Sequence, residues 1–238
     1  MSLSNWTIYR DGQGGPTGSV YIDIVNPISG SGSLVVTQLP GIELQSINIT
    51  PSTLPTGVSD GRLQSLLRLD ATDGVSGVES HFGFLCMQSA ENMAQFGTSN
   101  TAYGFSLSVG GVGIPSSSLR LWKFSEGLDG SSGSLNASQI LLSVPPPFPI
   151  LQGQILAMEL EWHTNSNSLS EFGGALLIGR LGQMIDFSDL QNVITFIDTT
   201  PYTLTTSESV FAVFKNAFST ESKKVSFDNT ILRRILLN

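Results

Sequence analysis

The stretch Ile155-Leu-Ala-Met-Glu-Leu-Glu-Trp-His163 decides the fold, because its even-numbered residues are all apolar and its last odd-numbered residues are polar. Successive side chains of a β-strand point to opposite faces of a sheet, so this alternation is typical of a strand with one buried face. The pattern therefore predicts a strand that turns Trp162 toward a core and places Glu159, Glu161 and His163 on the opposite face.

The rest of the chain repeats this pattern in short runs separated by clusters of Gly, Ser, Pro and Asn. The fourteen predicted strands are Trp6–Arg10, Val20–Val25, Leu34–Gln38, Ile42–Ile49, Leu63–Leu69, His81–Met87, Tyr103–Val109, Leu119–Phe124, Ser138–Val144, Ile155–His163, Ala175–Leu181, Val193–Asp198, Ser209–Phe214 and Lys224–Ile231. No long amphipathic segment that could connect parallel strands occurs between them. We therefore expect an all-β, antiparallel sandwich.

Two short helices are expected beside the strands. Ser89–Phe96 is followed by Gly97, a residue that often ends a helix, and Ser188–Val193 begins with a residue suited to a helix N-cap. No internal repeat or hinge divides the 238 residues, so residues 1–238 are predicted to form one domain.

Composition and charge limit the classes of partner. Only 13% of residues are charged and the formal net charge is −8, which disfavours nucleic acid and anionic membrane surfaces. Cys86 is the single cysteine, so no internal disulfide can form. No apolar run is long enough for a transmembrane helix, and the first residues lack the pattern of a signal peptide. These features predict synthesis in a reducing cytoplasm without membrane insertion.

Several segments carry a family resemblance. They are Trp6-Thr-Ile-Tyr9, Phe82-Gly-Phe84, Tyr103-Gly-Phe-Ser-Leu107, Leu119-Arg-Leu-Trp122 and the closing Val225-Ser-Phe-Asp-Asn-Thr-Ile231. In this order the chain resembles the concanavalin A-like lectin and glucanase superfamily, the laminin-G-like jelly roll also found in phage and viral structural proteins. The resemblance implies the fold over nearly the whole chain. It does not imply one function, because lectins, glycanases, adhesion modules and viral surface proteins all share this fold.

The resemblance also defines a test for catalysis. Glucanases of this superfamily place three acidic residues along one strand, and a retaining mechanism needs two carboxyl groups about 5–5.5 Å apart. Glu159 and Glu161 provide two of them, but His163 occupies the third position. The sequence therefore predicts no catalytic residues and no enzyme.

Two histidines and one cysteine cannot form a four-ligand zinc site by themselves. Calcium is harder to exclude, because Asp70 with Asp73 and Asp186 with Asp189 supply oxygens. Neither pair has the spacing of a dedicated calcium loop, so no metal site and no cofactor is predicted.

Two groups of residues remain as candidate binding sites. A glycan site would stack an aromatic ring on a sugar and surround it with polar groups, which points to Trp122 with Arg120 and to Glu159, Glu161 and His163. The chain closes on an apolar segment next to two arginines, which predicts docking on another subunit through Arg233, Arg234, Ile235, Leu236 and Leu237.

The leading expectation is a non-enzymatic structural or adhesion protein of a phage or virus particle, such as a head decoration or a part of a tail or fibre. Its partners would be copies of itself or other virion proteins, with a host-surface glycan as a further possibility, and it would assemble in the host cytoplasm. The alternative is a glycan-binding, lectin-like module. A third hypothesis is a divergent laminarinase-like glycoside hydrolase.

Overall fold

The computed structural model describes residues 6–13, 19–38, 44–51, 60–71, 79–90, 92–94, 99–110, 116–128, 140–164, 172–180, 191–202, 207–215 and 223–234. The regular structure of these residues consists of β1 (Trp6–Gln13), β2 (Val20–Asp23), β3 (Ser33–Gln38), β4 (Leu44–Pro51), β5 (Gly61–Ala71), β6 (Glu79–Gln88), β7 (Ala102–Gly110), β8 (Ser116–Phe124), β9 (Ile140–Val144), β10 (Ile155–Thr164), β11 (Phe172–Arg180), β12 (Gln191–Asp198), β13 (Ser207–Lys215) and β14 (Lys223–Arg234). All fourteen predicted strands are confirmed, and their ends differ from the prediction by three residues or fewer.

The strands form two seven-stranded sheets in which every pair is antiparallel. Sheet A has the order β1-β4-β13-β6-β7-β8-β9, and sheet B has the order β12-β11-β10-β5-β14-β3-β2. Neighbours such as β7 and β8 follow each other in the chain, whereas β5 and β14 are neighbours in sheet B although most of the sequence lies between them. The predicted all-β antiparallel sandwich is therefore confirmed.

The main core lies between the inner faces of the two sheets. Phe82, Phe84 and Phe105 of sheet A are buried in one cluster with Met158 and Trp162 of sheet B. Trp162 is fully buried, as the alternation in β10 predicts. Because one face of each sheet points into this core, the other face of each sheet points away from it, and the two outer faces lie on opposite sides of the sandwich.

The described residues contain no helix, which corrects part of the prediction for Ser89–Phe96. Residues 89, 90 and 92–94 run as bends and irregular chain, and their backbone groups bind side chains and the backbone of Thr101. The hydroxyl of Ser89 accepts a hydrogen bond from Thr101 N, and Asn92 Oδ1 accepts one from Ala94 N at 3.1 Å. Such bonds compete with helical ones. Of the predicted Ser188–Val193 helix, residues 188–190 lie outside the described residues, and Gln191 begins β12. No helix in the described part of the chain could span a membrane.

A β-bulge explains the closing Phe-Asp-Asn motif. Asp228 pairs with Leu66 and Ile231 with Gln64, so Asn229 and Thr230 together stand opposite Ser65. Asn229 has a φ of 46°, a left-handed conformation that asparagine tolerates better than most residues. The bulge places the Asp228 carboxylate against residues 29–33, where it accepts bonds from Ser29 N at 2.8 Å and Ser33 Oγ at 2.9 Å.

A polar clamp joins the two sheets at one end of the sandwich. Asp198 ends β12 in sheet B, and Tyr103 and Lys123 stand opposite each other in sheet A. The Tyr103 hydroxyl donates to Asp198 Oδ2, and Lys123 Nζ lies 2.8 Å from the same oxygen. Burial raises the pKa of Asp198, but the hydrogen bonds from Lys123, Tyr103 and Thr200 outweigh that effect and lower the pKa to about 2.

We expect this clamp to make the protein less stable in acid. The folded-state pKa of Asp198 lies below its ordinary value of 3.8, so the stabilisation is complete above about pH 5 and is lost as the pH falls toward about 2. The lost free energy is about 2 kcal/mol. Denaturant unfolding of the wild type and of Asp198→Asn should give free energies that differ most near neutral pH and converge in acid. A difference that is independent of pH would contradict this account.

Candidate functional site

The outer face of sheet A differs from its inner face in carrying polar side chains on the strands from β6 to the edge strand β9. Strand register aligns these side chains in neighbouring rows that cross β6, β7, β8 and β9. The first row is His81, Ser108 and Ser118, the second is Ser106, Arg120 and Ser143, and the third contains Trp122 and Ile140. We call the first two rows the polar half of this face.

The other part of the same face, the covered half, is a small apolar core of its own. Its buried residues are Leu85, Met93, Ala102, Trp122, Phe124, Leu128 and Phe211. Met93 and Leu128 belong to segments outside the strands, and Leu128 N donates to Met93 O at 2.8 Å, which links the two segments. These segments therefore cover Trp122 although it points away from the main core.

A chain of buried amides and hydroxyls fixes the segment that bears Met93. The Ser209 hydroxyl accepts a hydrogen bond from Asn48 and donates one to Gln88. Asn48 Oδ1 in turn accepts from Met93 N at 3.2 Å. Asn48, Gln88 and Ser209 are all buried. Buried polar groups hold their positions firmly when they are fully hydrogen-bonded, so this segment is tied to the sheet.

Trp122 marks the boundary between the covered half and the polar half. Its ring stacks on Phe124 with centroids 5.5 Å apart, and the edge of the His81 ring meets it with centroids 5.3 Å apart. The indole Nε1 donates to Ser106 Oγ at 2.8 Å, and the Arg120 guanidinium carbon lies 5.8 Å from the ring centroid. Trp122 is only 1% exposed, so it supports Ser106 and Arg120 of the polar half without itself lying at the surface.

The accessible groups of the polar half lie toward β8 and β9. Ser106, Ser108 and His81 are buried, and His81 Nδ1 lies 2.7 Å from Ser108 Oγ. Arg120 is half-buried and Ser143 is exposed. The arrangement thus places a guanidinium and hydroxyl groups at a surface whose supporting side chains are already hydrogen-bonded. Such groups can bind a polar ligand without first being ordered.

The outer face of sheet B carries the two predicted glutamates. Glu159 and Glu161 share this face, as the alternation predicts, and stand opposite Gln64 and Arg62. Arg62 Nη2 lies 2.6 Å from Glu161 Oε2, and Arg62 Nε lies 3.3 Å from Glu159 Oε1. Gln64 donates to Glu159 as well. The hydrogen bond to Glu161 is the main reason why the pKa of Arg62 is raised. One guanidinium therefore pairs with both carboxylates, and the three side chains together keep a net charge of −1.

The structure separates the predicted site residues into two groups. Trp122 and Arg120 lie on the outer face of sheet A, whereas Glu159, Glu161 and the exposed His163 lie on the outer face of sheet B. The core lies between them, so they cannot contact one ligand together. Which group, if either, binds a glycan stays a prediction.

The predicted docking segment is described only in part. Arg233 is exposed and stands opposite Arg62, and Arg234 ends β14. Ile235, Leu236 and Leu237 lie outside the described residues. The docking role of this segment stays a prediction.

Ser106 and Ser108 were not identified from the sequence as polar neighbours of Arg120 on one sheet face. Ser106 and Ser108 interrupt the otherwise apolar strand Ala102–Gly110 at a spacing of two, which indicates a polar side chain repeated on one face. This signal was present in the sequence. Its connection to Arg120, by contrast, depends on the register between β7 and β8. Among the described residues, no three His, Cys, Asp or Glu side chains converge as they would around a metal ion.

Comparisons of sequence gave no relatives, since no family model and no curated protein match the chain. Comparisons of structure gave several. A PL-14 alginate lyase from Aplysia kurodai aligns with a TM-score of 0.59 and 11% identity, over 96% of this chain and 90% of that one. The alginate lyase Aly36B aligns with a TM-score of 0.53 and 14% identity, over 98% of both chains. The exoplasmic domain of VIP36, solved with Ca²⁺ and Man3GlcNAc, aligns with a TM-score of 0.52 and 9% identity, over 100% of this chain and 86% of that one. At these identities the likeness shows the fold alone.

Proposed function

We propose that this protein is a non-catalytic carbohydrate-binding protein whose ligand lies on the polar half of the outer face of sheet A. One observation supports the proposal most directly. Strands β6 to β9 align Arg120 with rows of hydroxyl groups on a sheet face that points away from the main core. Guanidinium and hydroxyl groups form hydrogen bonds with sugar hydroxyls, and a sheet holds them at fixed spacings.

The choice of this face over the opposite one follows from the polar groups that are exposed on each face. On sheet B, the two glutamates and Arg62 bind one another, so a ligand would have to compete with ion pairs that are already formed. On sheet A, Ser106 binds Trp122 and Ser108 binds His81. These hydrogen bonds hold the face in place, and they do not involve the hydroxyl of the exposed Ser143.

The structural comparisons are consistent with this function without deciding it. The VIP36 structure contains Man3GlcNAc, and one Aly36B structure, with a TM-score of 0.50, contains an alginate trisaccharide. The fold can therefore hold sugars in other proteins. These comparisons do not support the leading expectation of a virion role, which stays a prediction. So does assembly in a host cytoplasm.

Replacing Arg120 by alanine should weaken glycan binding by about tenfold to a hundredfold, because a hydrogen bond to a charged group contributes about 1.5–3 kcal/mol. Binding of Man3GlcNAc and of an alginate trisaccharide would be measured by calorimetry for the wild type. The sugar that binds would then be titrated into the variant. Arg233→Ala is the matched control, because it removes an exposed arginine from the outer face of sheet B and should leave the affinity unchanged.

Three results would contradict the proposal. The first is a wild-type protein that binds neither these sugars nor a wider glycan panel. The second is an Arg120→Ala affinity equal to that of the wild type. The third is the appearance of new reducing or unsaturated chain ends when the protein is incubated with the polysaccharide it binds, since that product would make the protein an enzyme.

A further inference from the structure

Strand β9 is the exposed edge of sheet A that adjoins the polar half. Its partner in the sheet is β8, and no described strand pairs with its other edge. The strand reads Ile-Leu-Leu-Ser-Val, and Leu141 and Leu142 are 48% and 36% exposed. A strand at the edge of a sheet presents unpaired backbone N–H and C=O groups, so this edge offers hydrogen bonds together with apolar side chains.

The other edge strands of the two sheets carry charged residues, and β9 does not. Strand β1 contains Arg10 and Asp11, and β2 contains Asp23; β12 contains one charge, Asp198, which ends the strand and is bound in the clamp. Charges on an edge strand oppose pairing with another chain because the pairing would remove them from water. Among the edge strands that the structure describes, β9 therefore stands out in containing no charged residue, although a bulge at Leu141 and Pro145 beyond the strand limit its length.

We propose that β9 pairs antiparallel with β9 of a second copy of this chain, about a two-fold axis at Leu142. This pairing sets Leu142 opposite Leu142, Leu141 opposite Ser143 and Ile140 opposite Val144, so no charges meet. With a net charge of −8, two copies repel each other, and repulsion is weakest where an edge carries no charge. A two-fold contact uses the same surface on both subunits, and the strand is complementary to itself in this way.

The pairing has a consequence for ligand binding, and this step rests on the proposed function. A two-fold axis perpendicular to the sheet keeps both outer faces on the same side, so the two polar halves become one surface. Ser143 of β9 stands beside Arg120 of β8. Three strand spacings of about 4.8 Å then separate the two Arg120 positions across the sheet, which is about 14 Å. A long glycan could contact both sites, and its affinity would exceed that of a short one.

Substituting Leu142 by lysine should convert a dimer into a monomer. Sedimentation equilibrium over a hundredfold range of concentration should show the wild type shifting from 25.4 kDa to twice that mass, because a five-residue strand gives a small, reversible contact. Leu142→Lys should stay at the monomer mass throughout. Leu141→Lys provides the same test at a more exposed position if the first variant does not fold. Ile197→Lys, on edge strand β12 of sheet B, is the matched control and should still dimerise.

The mass measurement and the glycan measurement have separate outcomes. A wild type that stays monomeric at all concentrations, or a folded Leu142→Lys that still dimerises, would overturn the β9 interface whether or not glycans bind. If the dimer forms and a long oligosaccharide binds it, Leu142→Lys should weaken that binding at least tenfold and leave a trisaccharide unaffected. Equal affinities for the long oligosaccharide in the two proteins would overturn the shared binding surface alone.

Discussion

Replacing Asp228 by alanine is expected to lower the free energy of unfolding by about 3–5 kcal/mol. The carboxylate is 3% exposed and accepts hydrogen bonds from Ser29 N at 2.8 Å, Ser33 Oγ at 2.9 Å and Asn229 N at 2.7 Å. Alanine would leave these donors without an acceptor in a site that water does not reach, and each unsatisfied group costs about 1–3 kcal/mol. Denaturant unfolding monitored by circular dichroism measures the difference.

Combining Ser33→Ala with Asp228→Ala measures how much of the effect comes from the hydrogen bond between these two side chains. On its own, Ser33→Ala removes one donor to Asp228 and also the acceptor of Ile28 N, which lies 2.6 Å from Ser33 Oγ, so it should cost about 2 kcal/mol. In a protein that already carries Asp228→Ala it should cost less, because the shared hydrogen bond is gone, and the two effects would not add. A loss below about 1 kcal/mol for Asp228→Ala would show that the bulge in β14 does not depend on this carboxylate.

The position of Asp228 also shows what the sequence could predict. The alternation in β10 and β14 identifies their buried residues, because each strand follows a period of two. That rule does not predict the bulge at Asn229, since the extra residue depends on pairing with Ser65, which lies far away in the chain. The strands were therefore predicted individually, whereas their ends and irregularities follow from their partners.

The candidate site required more long-range information than the strands did. The spacing of Glu159 and Glu161 predicts a common face, and this is confirmed, but Arg62 comes from a strand about a hundred residues earlier. Similarly, the spacing of Arg120 and Trp122 predicts a common face, while strand order alone places that face on the other side of the sandwich from His163. The period of two determines which side chains of one strand share a face. Which of these side chains lie close to those of other strands depends on the pairing of strands that are distant in the sequence.

The irregular segment after β6 shows a different limit. Its composition favours two turns of helix closed by Gly97, but Asn92 binds the backbone of Ala94 and the Ser89 side chain binds the backbone of Thr101. Asn48 adds a hydrogen bond to Met93 N from another strand. Local propensity is a weak preference, and a few side-chain hydrogen bonds with an apolar contact to the sheet are enough to override it.

Replacing Trp122 by alanine is expected to destabilise the protein by about 3–5 kcal/mol, the usual cost of removing a buried tryptophan side chain. The ring is 1% exposed, stacks on Phe124 and lies among Met93 and Leu128, so its loss would leave a cavity under these segments. Thermal or denaturant unfolding measures the loss. Near-ultraviolet circular dichroism of the folded variant reports whether the aromatic packing around Phe124 persists.

Trp122→Phe distinguishes a supporting role of this ring from direct contact with a sugar. Phenylalanine keeps most of the apolar volume and loses the hydrogen bond to Ser106, so the expected cost in stability is about 1 kcal/mol. Because the covered ring cannot reach a ligand in this structure, glycan affinity should change by less than about threefold, against a loss of tenfold or more for Arg120→Ala. A stable Trp122→Phe protein that binds no glycan would contradict this. It would mean that residues 92–94 move away from the sheet on binding and that the sugar stacks on the exposed indole.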